Sequence, residues 1–103
     1  LASVRFHPQG GLAEIGFMLD PGVQGLGYGS ELVEALIQHV FGNSACHKLI
    51  AIVTEGNQAS AHVLRKYGFV QEGCLRQQFL LAGQFYDDWV FGLLRNDWQP
   101  EPL

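Results

Sequence analysis

The chain has 103 residues, a formal net charge of −4 and a hydrophobic share of 48%. This length fits one domain with a modest core, because so small a domain buries only about 60–70% of its unfolded surface. The acidic balance gives no basic surface for nucleic acid or an anionic membrane, and no apolar run approaches the roughly 18 residues of a membrane span. Two separate cysteines and four scattered histidines, without CxxC or HExxH, indicate neither a disulfide framework nor a metal site. We therefore expect a single cytoplasmic domain over residues 1–103.

The first half of the chain predicts a strand, a helix and a second strand. Leu12–Leu19 reads as a strand that ends at the turn residues Asp20-Pro21-Gly22. Apolar positions keep a helical spacing from Ser30 to Phe41, and Gly42-Asn43 stops that helix. Lys48–Thr54 is a continuous apolar run, typical of a central strand covered on both faces. This order predicts a right-handed crossover between parallel strands.

The second half predicts another helix and a hairpin. Asn57 suits the N-cap of the helix and Gly68 its C-terminal stop. Two apolar and aromatic runs follow, Phe69–Leu81 and Phe85–Leu94, separated by Ala82-Gly83-Gln84. Such runs with a glycine-containing turn predict an antiparallel hairpin. The fold class is therefore α/β with a mixed sheet.

The stretch QGLGYGS, residues 24–30, separates the first predicted strand from the first helix. Glycine costs roughly 0.5–1 kcal/mol relative to alanine inside an element, so closely spaced glycines need a reason. A helix N-terminus favours an anion, and missing side chains let backbone N–H groups approach a phosphate. A Walker loop would need a lysine here, and a dinucleotide fingerprint a third glycine where Ser30 stands. A tight turn with close helix packing remains the alternative explanation.

Two spaced motifs resemble the GNAT superfamily of N-acetyltransferases. Gln24–Gly29 matches the pyrophosphate loop Q/R-x-x-G-x-G/A of that superfamily. Residues 57–69 are similar to the N-x-x-S-x-x-V-L-x-K-x-G-F pattern of its RimJ/RimL-type branch. The resemblance covers residues 12–95 and implies the mixed, twisted sheet of acyl-CoA N-acyltransferases. The family's first strands, and the two helices that form much of its acceptor site, have no counterpart in this chain. We therefore expect the N-terminal elements to be missing.

The resemblance implies acetyl-coenzyme A as the acetyl donor, with no metal. Backbone N–H groups of residues 24–30 would hold the pyrophosphate, residues 17–19 would pair with the pantetheine arm, and Lys66 would reach the ribose phosphate. Asn57 would bind the cofactor or serve as an ordinary N-cap, and the two roles are compatible. The implied cofactor-binding residues are Phe17, Met18, Leu19, Gln24, Gly25, Leu26, Gly27, Tyr28, Gly29, Ser30, Asn57, Ser60 and Lys66.

Acetyl transfer to an amine needs a base for the ammonium proton and an acid for the departing thiolate. The resemblance implies Glu14 as the base. Ser60 shares the inward stripe of the second helix with Leu64, so its hydroxyl is the candidate acid, directly or through a water. A solvated strand glutamate and a local hydrogen-bonding serine are the structural alternatives. Leu64 stands where many members carry a tyrosine acid, and Phe79 where the ribosomal-protein branch carries a glutamate. Asp87 and Asp88 in the hairpin suggest an acid/base pair or metal ligands, but adjacent strand residues face opposite ways, so we expect one of them to be structural.

These observations lead to one principal hypothesis and two others. We expect an N-acetyltransferase that moves an acetyl group from acetyl-coenzyme A to a primary amine of a protein N-terminus or a small molecule by direct attack. The alternatives are a non-catalytic coenzyme A-binding module and an interaction subunit that needs a partner. A family fold without its first strands leaves a sheet edge unpaired and apolar surface uncovered, which predicts association. We expect a homodimer, formed through the Phe79–Leu94 hairpin or by an exchanged strand, or else a tightly bound segment supplied by the missing N-terminal region.

Overall fold

The computed structural model describes residues 2–7, 10–17 and 28–98 of the chain. The strands are β1 (Ala2–Phe6), β2 (Leu12–Phe17), β3 (Lys48–Thr54), β4 (Val70–Leu81) and β5 (Gln84–Leu94). The helices are α1 (Tyr28–Asn43) and α2 (Gln58–Lys66), and a short 3-10 turn covers Arg95–Asp97. The predicted α/β class is confirmed.

The strands form one five-stranded mixed sheet in the order β1-β2-β3-β5-β4. Only β2 and β3 pair in parallel, with α1 as their crossover, whereas the other neighbours are antiparallel. β4 and β5 form the predicted hairpin, closed by Ala82 and Gly83 with φ of 52° and 78°. Positive φ at both central residues is the backbone of a type I′ turn, which matches the twist of the flanking strands. Gln84, predicted in the turn, instead opens β5.

Both helices cover the same face of the sheet. Alternate residues of β3, Leu49, Ala51 and Val53, are buried there against α1 and α2. Among the described residues nothing covers the opposite face comparably, and Ile52 is 41% exposed. The prediction that Lys48–Thr54 is covered on both faces is therefore wrong for the described part of the chain. The apolar run of β3 has the length and composition of a buried strand, but the number of its covered faces depends on which helices pack against the sheet.

One strand, β1, was not predicted. It pairs antiparallel with β2 in a register that places Val4 opposite Ile15 and Arg5 opposite Glu14. The segment has only five residues, among them a serine and an arginine. Its alternation is too short to distinguish a strand from a loop, so its pairing with β2 decides its structure.

The C-terminal end of α1 is tied to the end of β5 by Arg95. Its guanidinium donates to the main-chain oxygens of Phe41, Ser44 and Cys46 at 2.8, 2.7 and 2.7 Å. It also lies 4.8 Å from the centre of the Phe41 ring. The last carbonyls of a helix have no intrahelical donor, so a cation placed there satisfies them and opposes the helix dipole.

Candidate functional site

The parallel pairing of β2 with β3 stops before either strand ends, and the stretch beyond the last pair is called the β2–β3 gap here. The recorded pairs run from Leu12–Lys48 to Ile15–Ala51, although β2 continues to Phe17 and β3 to Thr54. Backbone groups beyond the last pair that face the gap need other partners, because buried N–H and C=O groups seldom stay unpaired. The gap is therefore suited to an extended ligand that pairs with strand backbone. Phe17 lies at its edge, whereas Met18 and Leu19 lie outside the described residues.

The N-terminus of α1 combines two features that favour an anion. Tyr28, Gly29 and Ser30 form its first turn, where free N–H groups and the helix dipole give partial positive charge. Lys66, in the last turn of α2, donates from its Nζ atom to the Ser30 hydroxyl at 3.3 Å. The family resemblance implied that Lys66 and residues 24–30 hold the same cofactor, and α2 brings this ammonium group to the start of α1. Residues Gln24, Gly25, Leu26 and Gly27 of the glycine stretch lie outside the described residues.

Asn57 and Ser60 lie at the N-terminal end of α2. The Asn57 carboxamide oxygen accepts a hydrogen bond from the Ser60 backbone N–H at 3.2 Å, so the predicted N-cap is confirmed. Ser60 itself is only 2% exposed, and within the described residues its hydroxyl has no hydrogen-bond partner. A buried hydroxyl without a partner is unfavourable by about 1–3 kcal/mol. The hydroxyl is therefore available to a bound ligand.

Glu14 lies on the sheet face opposite the helices. Its neighbours in β2, Ala13 and Ile15, are buried beneath α1 and α2, and its own side chain is 29% exposed. One carboxylate oxygen is 3.2 Å from Nη2 of Arg5, an exposed residue of β1. Glu14 and Ser60 therefore lie on opposite sides of the sheet, with Ser60 in a helix that covers one side. The two candidate catalytic residues could act from opposite faces of a ligand held in the β2–β3 gap.

Asp87 and Asp88 have separate partners. Asp88 accepts a hydrogen bond from the Thr54 hydroxyl at 2.8 Å, and Asp87 accepts one from the Gln77 backbone N–H at 2.8 Å. The two carboxylates therefore do not form an acid/base pair, in agreement with the alternation of strand side chains. Within residues 2–7, 10–17 and 28–98, no group of three His, Cys, Asp or Glu side chains is placed to hold a metal ion. In the same ranges no helix is both long and apolar enough to span a membrane.

Comparisons with known proteins identify similar sequences and structures. A family model described as an acetyltransferase (GNAT) domain matches residues 1–70. The chain is 36% identical over 84 residues to a ribosomal-protein-serine acetyltransferase of Escherichia coli, covering 82% of this chain and 46% of that protein. It is 32% identical over 73 residues to the spermidine N(1)-acetyltransferase of the same species, covering 71% and 39%.

A solved structure also resembles this fold. It is the RimL ribosomal-protein acetyltransferase in complex with coenzyme A, with a TM-score of 0.78 and 29% sequence identity. The superposition covers 89% of this chain and 52% of that one. The chain thus spans about half the length of the curated relatives it matches, which are covered to 50%, 46% and 47% in the first three.

Proposed function

This chain belongs to the GNAT acetyltransferase family, and from that membership we propose that it transfers an acetyl group from acetyl-coenzyme A to a primary amine. The observation that carries the proposal is the gap between β2 and β3 beyond Ile15 and Ala51. A thioester arm bound in this gap would lie next to strand backbone, with Ser60 on one face of the sheet and Glu14 on the other. The coenzyme A complex of a structural relative supports the same donor.

The cofactor's phosphates would bind at the start of α1. Backbone N–H groups of residues 24–30 would supply donors without needing cationic side chains, and Lys66 adds one ammonium group beside Ser30. The backbone of Phe17, followed by Met18 and Leu19, would pair with the pantetheine arm. Asn57 would add a side-chain hydrogen bond while it continues to cap α2.

Each candidate catalytic residue would handle one proton. Glu14 would accept a proton from the acceptor's ammonium group, and the freed lone pair would then attack the thioester carbonyl carbon. As the carbon–sulfur bond breaks, Ser60 would give a proton to the departing thiolate, directly or through a water, and it would regain a proton from the positively charged nitrogen as the amide forms. The buried hydroxyl of Ser60, without a partner in the described part of the chain, supports this role.

The acceptor would be the amine of a protein N-terminus or of a small molecule. Similar proteins are named for acetylating ribosomal proteins and spermidine, so relatives of both acceptor classes resemble this chain. The resemblance to the RimJ/RimL-type branch implies a hairpin glutamate where this chain has Phe79, which is 42% exposed. This difference argues against assuming the acceptor of that branch.

The catalytic assignment predicts different effects for Glu14→Gln and Ser60→Ala. General base catalysis typically contributes 10²–10⁴-fold, so we expect Glu14→Gln to lower kcat by about 100-fold and to remove the rise of rate with pH. Ser60→Ala should cost less, about tenfold, because a water can protonate a thiolate. Thiol release from acetyl-coenzyme A with amine acceptors measures both effects, and calorimetry should find little change in the cofactor affinity of Glu14→Gln. A fully active Glu14→Gln variant would assign the base to water or another carboxylate.

A coenzyme A-binding module without turnover is the second candidate function. The observation that favours it is that, among the described residues, nothing covers the sheet face of Glu14 comparably to the helix face. Binding of acetyl-coenzyme A without thiol release, over a panel of peptide and polyamine acceptors, would support the module. Measurable turnover would exclude it. An interaction subunit is a related possibility, supported by the exposed hairpin.

We also propose a homodimer formed through the hairpin. β4 ends the strand order of the sheet and its 12 residues are exposed. Four large apolar side chains lie near its tip: Phe79, Leu80, Leu81 and Phe85, with exposed fractions of 42, 57, 56 and 54%. An exposed apolar edge strand favours pairing with another chain, and a second copy offers the same edge.

Light scattering at micromolar concentration tests the homodimer. For the native sequence we expect about twice the chain mass of 11.4 kDa. For Leu80→Lys we expect a shift toward the monomer mass of 11.4 kDa. The matched control is His62→Lys, which adds the same charge at an exposed position of α2 away from the hairpin. A well-folded native species at 11.4 kDa without a bound peptide would contradict the dimer.

A further inference from the structure

Three segments of the chain meet at Asp87 in β5. Its carboxylate accepts a hydrogen bond from the backbone N–H of Gln77 in β4 at 2.8 Å. Its own backbone oxygen accepts from the N–H of Glu55 at 2.8 Å, and its N–H donates to the Glu55 carboxylate at 2.8 Å. Asp87 thus connects the middle of the hairpin to the turn between β3 and α2.

The hairpin is irregular at this point. Pairing of β4 with β5 shifts between Leu75 and Phe79, so the bulge residues Arg76, Gln77 and Gln78 lie opposite Asp87. Gln77 has a φ of 52°, a left-handed backbone conformation that residues other than glycine adopt at a cost in free energy. A conformation of this kind persists only where surrounding contacts hold it, and the carboxylate of Asp87 supplies one such contact.

The turn on the other side of Asp87 leads into the candidate site. Glu55 is followed by Gly56, with a φ of 88°, and then by Asn57, which caps the backbone N–H of Ser60. Only this short segment separates Glu55 from the start of α2. A displacement of Glu55 would therefore reach the Asn57 cap and the buried Ser60 hydroxyl.

We propose that Glu55 and Asp87 form a brace that holds the β4 bulge in a fixed position relative to Asn57 and Ser60, with Asp87 as a positioning residue for acetyl transfer. The bulge borders an open recess of about 710 Å³, lined by Cys74, Leu75, Arg76, Gln77, Gln78 and Asp87. The brace sets the position of this recess relative to the acyl-transfer residues. The catalytic consequence rests on the proposed function, whereas the brace itself does not.

The second oxygen of the Asp87 carboxylate also has a donor. The Cys74 thiol donates to Oδ2 at 3.6 Å. Desolvation of the sulfur, followed by the carboxylates of Asp87 and Glu55, raises the pKa of the Cys74 thiol and keeps it in its protonated, donating form. Both oxygens of the Asp87 carboxylate therefore accept a hydrogen bond from β4.

Comparison of Asp87→Ala with Asp87→Asn distinguishes the hydrogen-bonding role of the Asp87 side chain from a role of its negative charge. In Asp87→Ala we expect amide hydrogen exchange at Gln77 to accelerate about tenfold, because its hydrogen bond to the carboxylate is lost. Exchange at Ser60 should accelerate about fivefold, because a shift of β5 away from the bulge would move Glu55, which is bound to the Asp87 backbone. In Asp87→Asn the carboxamide oxygen still accepts from Gln77, so exchange should stay within about twofold of the native rates. Asp97→Ala, at an exposed carboxylate of the 3-10 turn, is the matched control.

Kinetics supply the second readout. Misplacement of catalytic groups by about 1 Å costs up to 10²-fold, so we expect kcat to fall at least tenfold in Asp87→Ala while the KM for acetyl-coenzyme A stays within about twofold. Asp87→Asn should restore kcat. Equal losses in both variants, or unchanged kcat in Asp87→Ala, would overturn the positioning role.

If Asp87→Ala does not fold, a further variant, Glu55→Gln, tests the brace. It keeps the side-chain shape and weakens the acceptor for the Asp87 N–H, so exchange at Asp87 and Ser60 should accelerate by about twofold to fivefold. If the native chain transfers no acetyl group, the hydrogen-exchange rates still test whether the brace exists. Unchanged exchange at Ser60 in every Asp87 and Glu55 variant would overturn it.

Discussion

Replacing Gly27 by valine is expected to abolish the binding of acetyl-coenzyme A. Gly27 directly precedes the first turn of α1, where backbone N–H groups and the ammonium group of Lys66 favour a phosphate. A valine side chain at this position would occupy space that the proposed pyrophosphate needs. A loss of at least about 100-fold in affinity, equivalent to about 2.7 kcal/mol, should be found by calorimetry.

Gly42→Val is the matched control for this prediction. Gly42 lies in the last turn of α1, and a Cβ built there has no neighbour within 4 Å. The control should bind acetyl-coenzyme A like the native chain, because it makes the same substitution at the opposite end of the same helix. Circular dichroism should show that both variants are folded. Unchanged affinity in folded Gly27→Val would exclude the glycine stretch as the pyrophosphate loop.

Replacing Arg95 by alanine is expected to lower the free energy of unfolding by about 3 kcal/mol. The substitution leaves the main-chain oxygens of Phe41, Ser44 and Cys46 without the guanidinium donors. Hydrogen bonds to charged groups contribute about 1.5–3 kcal/mol each, and bonds that share one side chain are not additive. Such a loss is a large fraction of the roughly 5–15 kcal/mol that stabilises a domain.

Urea denaturation followed by circular dichroism measures this loss. Arg95→Lys should recover only part of the stability, because one ammonium group cannot reproduce the planar fork of donors. Arg76→Ala, at an exposed arginine of β4, is the matched control and should change stability by less than about 0.5 kcal/mol. A loss below about 1 kcal/mol in Arg95→Ala would show that water replaces the guanidinium at the end of α1.

Local chemistry explains which elements could be predicted. β3 occupies Lys48–Thr54, the bounds that its apolar run indicated, and Asn57 caps α2 as its residue type favours. Gly68 has a φ of 93°, a backbone conformation that favours glycine after a helix. In each case neighbouring residues in the sequence determine the conformation.

Contacts between distant residues explain what could not be predicted. The short strand β1 depends on its pairing with β2, and the uncovered face of β3 depends on which elements pack against it. The bulge at Gln77 is held by Asp87, and its sequence contains no glycine to indicate a positive φ. The end of α1 depends on Arg95, which lies far along the chain.

The sequence alone determined the α/β class, the hairpin, the caps of α2 and the motifs that resemble the GNAT family, because each depends on residue type and short-range spacing. Tertiary structure alone decided that β2 and β3 separate beyond Ile15 and Ala51, and that Lys66 meets Ser30 at the start of α1. It also decided that Glu14 and Ser60 belong to opposite faces of the sheet. The physical reason is that strand register and helix docking depend on side chains far apart in the chain, whose packing energies no local pattern contains.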